Sequence, residues 1–456
     1  MVSLFGSSGI RGKLDEKLTS EFCLEIGKAI GSTLPVGSRI CLSTDTRTSG
    51  DALSSGIISG LLSVGVNVTK LGILPTPALA LLTKELCFDA GIMVTASHNP
   101  PDYNGVKLFN NDSLGFSSKQ EGNIERIFLS KHFRQANWDE YGRLAEDRTA
   151  NEKYLLTLKK KALWQSDPHI KLVIDPGNGA ASNLATMFFQ ELGFKVFSIN
   201  DEPDGSFPGR DPEPSAESLR GTVEFLNECN ADLAISFDGD ADRVVFCDRQ
   251  GFLGYNEMIA FLSRLAVRQS GNKTVATTVE TGRLLDIAVA DLGAQVYRTK
   301  VGDVALAYST RELDAAIGVE PVGVYILPQL GYYPDSFLAT LLLLSQLKDV
   351  GDIRSFFSSL PPFFFESTKI PCDNVLKEKV TELCQKEVIN IDSGQVNTLD
   401  GIRSDFSDSW LLIRPSGTEP VVRVVVEANS QSQLKRLMAH GVNLVEKAII
   451  KSRGRR

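Results

Sequence analysis

The chain repeats one local pattern in three successive stretches: a short apolar run, a polar loop, and a segment whose apolar residues recur at helical spacing. The first stretch contains three apolar runs, at 38–42, 66–71 and 90–94. Between them lie two helical patterns, at 50–63 and 78–84. The pattern restarts at 170–174 and again at 274–278. Strands that alternate with helices in this way favour α/β domains. We therefore predict three related α/β domains with mixed sheets.

The last part of the chain follows a different pattern. After an apolar stretch at 361–365, the sequence shows alternating strand patterns, including 421–426, and then a helical pattern at 431–447. This change predicts a smaller α+β domain at the C-terminal end. A chain of 456 residues is also too long for a single core. We predict four domains, at 1–150, 151–254, 255–362 and 363–456.

Composition narrows the class of protein. The net charge is −8 and the basic block is confined to 451–456, so we expect no nucleic-acid partner. No apolar run approaches the length of a membrane span, since the run at 341–344 ends at Ser345. Seven scattered cysteines without a CxxC pair and four histidines argue against a disulfide framework and a zinc site. The first residues lack the regions of a signal peptide, and we expect a cytoplasmic protein.

A serine stands directly after one of the apolar runs. Residues 90–94 lead into Thr95-Ala96-Ser97-His98-Asn99-Pro100, which is typical of a buried strand that ends in a tight loop. A hydroxyl at a strand end can be a covalent nucleophile when a neighbouring group activates it. Ser97 and His98 could form a hydrolase dyad, but adjacent residues in extended backbone point to opposite sides. Because the chain also lacks a GxSxG motif, we favour phosphoryl transfer and expect His98 to orient the loop.

Three aspartates at alternate positions follow another apolar run. They are Asp238, Asp240 and Asp242, and Arg243 comes directly after them. Carboxylates without His or Cys are hard ligands and favour Mg²⁺. An EF-hand loop is excluded because Arg243 stands where that motif needs Gly and Arg249 where it needs Glu. A solvated acidic turn remains the alternative, and we favour the metal site.

A basic loop near the C-terminal end is a candidate phosphate cradle. It reads Arg414-Pro-Ser416-Gly417-Thr418-Glu-Pro420 and follows an apolar run. The loop combines a planar guanidinium with two hydroxyls and a glycine that lets backbone N–H groups approach an anion. Arg423 could add a further donor. A Pro/Gly turn between two strands is equally compatible with these residues.

Two more basic residues are candidates on weaker grounds. Arg11 lies in a Gly/Ser-rich loop at 5–12, which could be either a flexible end or an anion site. Lys107 follows Ser97 by ten positions. A lysine near a metal and other cations can have a lowered pKa and act as a general acid/base, whereas a lone surface lysine is the commoner case.

Together and in this order, the motifs resemble the α-D-phosphohexomutase superfamily. The order runs from Gly-Ile-Arg-Gly through Thr-Ala-Ser-His-Asn-Pro, Asp-Gly-Asp-x-Asp-Arg and a sugar loop to Arg-Pro-Ser-Gly-Thr-Glu-Pro. The segments 45–50, 75–77 and 299–303 also look like those of the family. The resemblance covers essentially the whole chain and implies four domains around a central cleft.

The resemblance also implies a mutase reaction. Ser97 would be a phosphoserine that gives its phosphoryl group to a hexose monophosphate, forming a sugar 1,6-bisphosphate that also serves as activator. One Mg²⁺ would be held by the phosphoserine and by Asp238, Asp240 and Asp242. Lys107 would be the general acid/base. The other implied residues are Arg11, His98 and Arg243 in the catalytic centre and Lys300, Arg414, Ser416, Gly417, Thr418 and Arg423 on the substrate.

One loop departs from the family pattern. Bacterial members usually carry Gly-Glu-x-Ser-Gly, often followed by His, whereas this chain reads Gly318-Val-Glu320-Pro-Val322-Gly323-Val324, a form that resembles archaeal-type members. Glu320 and Gly323 stay as sugar-binding candidates, while the valine side chains cannot form hydrogen bonds.

We expect a phosphoglucosamine mutase that is a monomer or homodimer. Mannose, glucose and pentose phosphates are alternative substrates, and a non-catalytic sugar-phosphate-binding protein is the alternative class.

Overall fold

The computed structural model of the protein describes residues 4–6, 8–16, 18–161, 169–388, 395–417 and 419–453. Within these ranges, four separate sheets follow one another along the chain. The first three are mixed sheets with helices between their strands, and the last is an antiparallel sheet with two helices. The predicted fold class is therefore confirmed, while the predicted domain boundaries stay predictions. No helix in the described ranges is both long and apolar enough to cross a membrane.

The first domain contains a six-stranded sheet. Its strands are β1 (Ile10–Lys13), β2 (Arg39–Thr44), β3 (Asn67–Ile73), β4 (Ala90–Val94), β5 (Tyr103–Asn110) and β6 (Leu144–Glu146). Its helices are α1 (Ser20–Ser32), α2 (Gly50–Ser63), α3 (Thr76–Glu85) and α4 (Ser118–Ser130), and α5 (Ala150–Lys161) follows. The strand order is β1-β5-β4-β2-β3-β6. Strands β2, β3, β4 and β6 are parallel, and β5 is antiparallel to both of its neighbours.

Close packing around β4 places the loop that carries Ser97. Every residue of β4 is buried, and a Cβ at Gly91 would lie 2.2 Å from Thr83 Oγ1 of α3. Glycine at this position therefore lets the helix pack directly onto the strand. Pro77 in the first turn of α3 favours the start of that helix. The strand and helix predicted at 90–94 and 78–84 are both present.

The end of the N-terminal Gly/Ser-rich loop is part of a strand and not a flexible end. Residues 10–13 form β1, in which Arg11 pairs in register with Gly105 of β5. A Cβ at Gly105 would lie 2.3 Å from Ile10 O and 2.6 Å from Thr95 O, so glycine lets β1 and the Ser97 strand approach β5 together. This packing brings Arg11 to the Ser97 loop, and the flexible-end alternative is wrong for these residues.

The second and third domains continue the same architecture. The second has strands β7 (Lys171–Asp175), β8 (Lys195–Ser198), β9 (Leu233–Phe237), β10 (Val244–Asp248) and β11 (Gly251–Phe252), in the order β11-β10-β9-β7-β8, with α6 (Leu184–Glu191) and α7 (Arg220–Glu228). The third has β12 (Thr274–Thr278), β13 (Gln295–Thr299), β14 (Ile317–Glu320) and β15 (Val324–Ile326), in the order β13-β12-β14-β15. Its helices are α8 (Tyr255–Ser270), α9 (Leu284–Ala290), α10 (Asp303–Glu312), α11 (Ser336–Gln346) and α12 (Gly351–Ser359).

The fourth domain is an antiparallel sheet backed by two helices. Its strands are β16 (Phe364–Pro371), β17 (Gln395–Asn397), β18 (Ile402–Asp405), β19 (Ser409–Pro415) and β20 (Val421–Ala428), in the order β16-β20-β19-β18-β17. A short 3₁₀ turn, Asn374–Leu376, leads into α13 (Lys377–Val388), and α14 (Gln431–Arg453) follows the last strand. The helices and the sheet enclose an apolar core of their own.

An aromatic cluster joins the second and third domains. Phe337 of α11 packs against Tyr154, Phe188, Phe189 and Phe237, with ring centroids between 5.2 and 6.4 Å apart. Phe237 is fully buried and directly precedes Asp238. Large interlocking rings have few alternative arrangements. The core thereby holds the start of the aspartate loop in place.

Candidate active site

Ser97 lies in the loop that directly follows β4, as its sequence context predicts. Its side chain is buried, and its hydroxyl donates a hydrogen bond of 2.6 Å to Asp238 Oδ2. Its backbone has a φ of +53°, in the left-handed region that residues with a side chain seldom adopt. Its N–H donates to Thr95 Oγ1 at 2.8 Å. The first and second domains therefore meet at this hydroxyl.

The aspartate loop forms one buried carboxylate cluster. Asp238, Asp240 and Asp242 are all buried, and their ligand oxygens lie within 4.8 Å of one another. A Cβ at Gly239 would lie 2.5 Å from the Ser97 carbonyl oxygen, so glycine lets this loop approach the serine loop. Because the cluster is buried, the alternative of a solvated acidic turn is wrong.

This cluster fits a hard divalent cation. Oδ1 of Asp240 and Oδ1 of Asp242 are buried without a hydrogen-bond partner, and unpaired buried carboxylate oxygens are costly unless a cation satisfies them. The donors are all oxygen atoms, as Mg²⁺ prefers. Burial and the neighbouring carboxylates raise the pKa of Asp238 and of Asp242. A bound cation would offset this repulsion.

Lys107 lies inside the cluster and not on the surface. Its Nζ is 2.7 Å from Asp240 Oδ2 and 2.5 Å from Asp242 Oδ2. Burial opposes the charge of this lysine, but the two carboxylates outweigh burial and raise its pKa. The expectation of a lowered pKa is therefore wrong. The reason is that the fold places two carboxylates, not cations, closest to Lys107 Nζ. Burial likewise opposes the charge of Asp240, and Lys107 outweighs it and lowers that pKa.

His98 is closer to Ser97 than extended backbone allows. Its Nδ1 lies 3.3 Å from Ser97 Oγ, because the left-handed φ of Ser97 turns the chain. The prediction that the two side chains point apart is wrong. The imidazole is nevertheless a poor general base, since desolvation, Arg243 and Arg11 lower the pKa of His98 to about 2. This lowered pKa argues against a hydrolase dyad.

Two arginines face the same loops. Arg11 Nη1 donates to Asn99 Oδ1 at 3.0 Å, and its Nε is buried without a partner. Desolvation and the nearby Arg243 lower the pKa of Arg11. The Arg243 backbone N–H donates to Asp238 Oδ1 at 3.1 Å, and its Nη1 lies 3.8 Å from Glu213 Oε1. The structure thus brings both predicted cations to the serine and aspartate loops.

The sugar loop contacts the aspartate loop directly. Glu320 ends β14 and is buried, and burial raises its pKa to about 7. Gly323 has a φ of +83°, and a Cβ there would lie 2.6 Å from Val244 O. Only glycine lets the backbone at residue 323 come this close to Val244. Packing alone therefore explains the glycine at this position. Val324 is buried in β15 and Val322 is partly buried in the apolar cluster beside it.

The predicted phosphate loop is held by carboxylates. Arg414 Nε lies 2.8 Å from Asp400 Oδ2 and its Nη1 lies 3.1 Å from Glu280 Oε1, so this arginine connects the fourth domain to the third. Ser416 is buried and its Oγ accepts a hydrogen bond from Glu419 N at 3.1 Å. Gly417 is exposed, with open space around its Cα. Thr418 lies outside the described residues.

Two further basic residues flank this loop. Arg423 pairs in register with Arg414 across β19 and β20. Its Nη2 lies 2.9 Å from Glu419 Oε2, and its Nε is buried without a partner. Lys300 is exposed at the end of β13. The next residue, Val301, donates its N–H to Asp400 at 3.0 Å, which places the Lys300 loop beside the Arg414 loop.

Several residues that sequence reasoning did not select support these loops. Thr76 Oγ1 donates to Asp240 Oδ2 at 2.5 Å. Arg210 donates to Asp175 Oδ2 at 2.8 Å and to Phe237 O at 2.6 Å, directly before the aspartate loop. Lys377 Nζ donates to the carbonyl oxygens of Ser416, at 2.6 Å, and of Glu419. Thr76 lies between two prolines at 75–77, and this motif could have marked it as a supporting residue. No local sequence pattern marks Arg210 or Lys377.

Comparison with known proteins places the whole chain in one family. Sequence models described as phosphoglucomutase/phosphomannomutase, alpha/beta/alpha domains I, II and III, match residues 2–135, 152–251 and 254–361. The model described as the C-terminal domain of the same family matches residues 375–443. All parts of the predicted architecture thus find a counterpart in this family.

Relatives and solved structures agree with this assignment. A probable phosphoglucosamine mutase of Thermococcus gammatolerans is 39% identical over 447 residues, covering 98% of each chain. A phosphoglucomutase/phosphomannomutase of Thermococcus kodakarensis is 37% identical, covering 98% of this chain and 100% of the relative. A solved family protein from Burkholderia thailandensis has a TM-score of 0.86 at 25% identity, covering 98% of each chain. These matches show that the chain belongs to the phosphoglucomutase/phosphomannomutase family and is a phosphosugar mutase.

Proposed function

We propose that the protein interconverts glucosamine 6-phosphate and glucosamine 1-phosphate through a phosphorylated Ser97 and a 1,6-bisphosphate. The observation that carries this proposal is the buried Ser97 hydroxyl at 2.6 Å from Asp238, inside a carboxylate cluster that also holds Lys107. A nucleophilic oxygen, a metal-binding loop and flanking arginines are the parts that phosphoryl transfer needs. The sugar 1,6-bisphosphate would also act as activator, because it can phosphorylate an unmodified Ser97.

The transfer conserves atoms and charge in each half-reaction. The bond between phosphorus and Ser97 Oγ breaks, a bond to a sugar hydroxyl oxygen forms, and the hydroxyl proton moves to Ser97 Oγ. We assign this proton exchange to Lys107, which starts as an ammonium ion because its pKa is raised and therefore acts first as the acid. Arg11 and Arg243 would neutralise the equatorial oxygens. Mg²⁺ held by Asp238, Asp240, Asp242 and the phosphoserine would supply further neutralising charge.

The same site must accept the bisphosphate in two orientations. The phosphate that is not being transferred would bind the loop of Arg414, Ser416, Gly417 and Thr418, with Arg423 and Lys300 at its edge. The in-register cations on β19 and β20 and the exposed Gly417 backbone support this assignment. After the first transfer, the sugar would turn so that its other phosphate faces Ser97.

The choice of an amino sugar rests on charge. Burial is the main cause of the raised pKa of Glu320; Arg243 opposes this rise, and the nearby carboxylates of Asp303 and Glu280 add to it. When Glu320 is ionised, three carboxylates therefore lie near the sugar loop. An ammonium group at C2 of the sugar would be attracted there, whereas a hydroxyl would gain less. Relatives named as probable phosphoglucosamine mutases, such as that of Thermococcus gammatolerans, agree with this choice.

Sugar preference is expected to depend on pH. Below about pH 7 Glu320 gains a proton and loses its negative charge, since its pKa is raised to about 7. The preference for glucosamine phosphate over glucose phosphate should therefore fall about tenfold between about pH 7.5 and about pH 6, the loss of one charge-assisted contact. The measurement is kcat/KM for glucosamine, glucose, mannose and pentose 1-phosphates at each pH.

The Glu320→Gln variant is the matched control, because it keeps the shape and cannot titrate. Its preference should be lower and independent of pH. Since Val322 and Val324 donate no hydrogen bonds, we also expect the wild type to turn over the neutral hexose phosphates within about four orders of magnitude of the preferred sugar. A wild-type preference that is unchanged by pH, or a neutral sugar as the best substrate, contradicts the assignment of glucosamine.

Replacing Arg414 with Ala should weaken both half-reactions. A charge-assisted contact to phosphate contributes about 1.5–3 kcal/mol, so kcat/KM should fall roughly ten- to a hundredfold. Both directions should suffer because the loop holds the resting phosphate in each orientation. Single-turnover reactions of phosphorylated enzyme with sugar phosphate, and of unmodified enzyme with bisphosphate, measure the two halves separately. Arg436→Ala, an exposed arginine on α14, is the control. An effect on one half-reaction alone would place the phosphate elsewhere.

A further inference from the structure

A buried arginine donates hydrogen bonds to the backbone of the Ser97 loop. Arg47 follows β2 and is 3% exposed. Its guanidinium donates to four main-chain carbonyl oxygens of this loop. The acceptors are Ser97 O at 2.9 Å, Asn99 O at 2.6 Å, Pro100 O at 2.6 Å and Tyr103 O at 2.9 Å. One side chain thus forms hydrogen bonds to four carbonyl groups of the same loop.

The same arginine is also connected to the N–H side of Ser97. Arg47 Nε lies 3.1 Å from Asp45 Oδ2. That oxygen accepts a hydrogen bond of 2.6 Å from Thr95 Oγ1, which in turn accepts from Ser97 N at 2.8 Å. Both peptide groups of Ser97 are therefore held by one network, directly through the carbonyl and indirectly through the threonine.

This support matters because the Ser97 backbone is in an unfavourable conformation. A φ of +53° costs free energy for a residue with a side chain and persists only where the surroundings impose it. A relaxed backbone would swing the hydroxyl away from Asp238, which it now contacts at 2.6 Å. Misplacement of a reacting atom by about 1 Å can lower a rate by about a hundredfold.

Residues of the second domain also pack against Arg47. The Arg47 guanidinium carbon lies 5.1 Å above the centre of the Phe207 ring, a cation–π arrangement. A Cβ at Gly205 would lie 2.5 Å from Arg47 Cα. Thr46 Oγ1 donates to Asn178 O at 2.9 Å. The domain that carries the aspartate loop therefore packs against the residue that supports the serine loop.

We infer that Arg47 is a positioning residue that holds Ser97 in the conformation required to accept and donate the phosphoryl group. The inference rests on the proposed function of Ser97. Arg47 acts through the backbone of the loop, because its acceptors there are main-chain carbonyl oxygens. Its planar fork of donors matches several carbonyls at once, which a lysine cannot do.

A matched control exists in the same domain. Arg134 also donates to several main-chain carbonyls, among them Val64 O at 2.8 Å and Gly31 O at 2.9 Å, but it supports the ends of α1 and α2. Arg134→Lys should change thermal stability and leave phosphoryl transfer unchanged. The comparison separates general loss of packing from loss of loop positioning.

The experiment measures how fast Ser97 gains phosphate. Wild type, Arg47→Lys, Thr95→Val and Arg134→Lys are dephosphorylated, mixed with glucose 1,6-bisphosphate and Mg²⁺, and followed by intact mass, with circular dichroism as a folding check. We expect the rate to fall about a hundredfold in Arg47→Lys and about tenfold in Thr95→Val, with KM for the sugar phosphate within about threefold of wild type. Arg47→Ala should regain about tenfold in rate when methylguanidinium is added.

The outcomes separate this inference from the proposed function. If wild-type Ser97 gains no phosphate, the proposed function fails. If wild type is phosphorylated and a folded Arg47→Lys or Thr95→Val variant matches its rate, the positioning role is overturned. An equal loss of rate in Arg134→Lys also overturns it, because a general packing defect would then explain the effect. Thr95→Val keeps the volume of the side chain and so provides a folded test even if Arg47 variants fail to fold.

Discussion

The Ser97→Ala variant should lose turnover by about 10⁴-fold or more, because removal of a covalent nucleophile eliminates both half-reactions. Its hydroxyl is a buried oxygen of the first domain that donates to Asp238 in the carboxylate cluster. The measurement has two parts: the coupled mutase assay, and intact mass before and after incubation with a sugar bisphosphate. Wild type should gain one phosphate that a sugar monophosphate removes, and the variant should gain none.

Ser113 provides a matched control for this substitution. It is also a buried serine of the first domain with a left-handed φ, +73°, and it lies outside the serine and aspartate loops. Ser113→Ala should keep both activity and the exchangeable phosphate. Substantial turnover by Ser97→Ala, or an exchangeable phosphate on another residue of wild type, would show that Ser97 is not the phosphoryl carrier.

The Asp240→Asn variant should lose about a thousandfold in kcat, since a metal ion contributes several kcal/mol to stabilising charge in phosphoryl transfer. Its Oδ1 is buried and unpaired while its Oδ2 contacts Lys107 and Thr76. The variant keeps the side-chain shape but removes the charge. Activity should require added Mg²⁺ in wild type, and Zn²⁺ should substitute poorly because the ligands are all hard oxygens.

Asp248→Asn tests whether any buried aspartate of this sheet would give the same result. Asp248 ends β10 in the same domain and pairs with Arg354 at 2.7 Å. Its replacement should lower thermal stability without changing the Mg²⁺ requirement. Full wild-type activity in excess chelator, or equal losses in the two variants, would contradict a metal site at Asp240.

Local sequence patterns were sufficient for the framework of this protein. The strands at 90–94 and 274–278 and the helix at 50–63 lie where their apolar spacing predicts them. Periodicity succeeds there because burial of a strand or helix face is decided mainly by neighbouring residues. The sequence also shows the chemical character of the aspartate loop, since its three candidate ligands are all carboxylates.

The tertiary structure decided the properties that depend on long-range neighbours. The direction of the Lys107 pKa shift followed from Asp240 and Asp242, and the contact between His98 and Ser97 from a left-handed backbone. The support of the serine loop by Arg47 likewise joins residues about 50 positions apart. Electrostatic interactions act through space, and hydrogen bonds to carbonyl groups leave no side-chain pattern. The sequence by itself therefore determined which groups could react, and the packing of the domains decided their charge states and orientation.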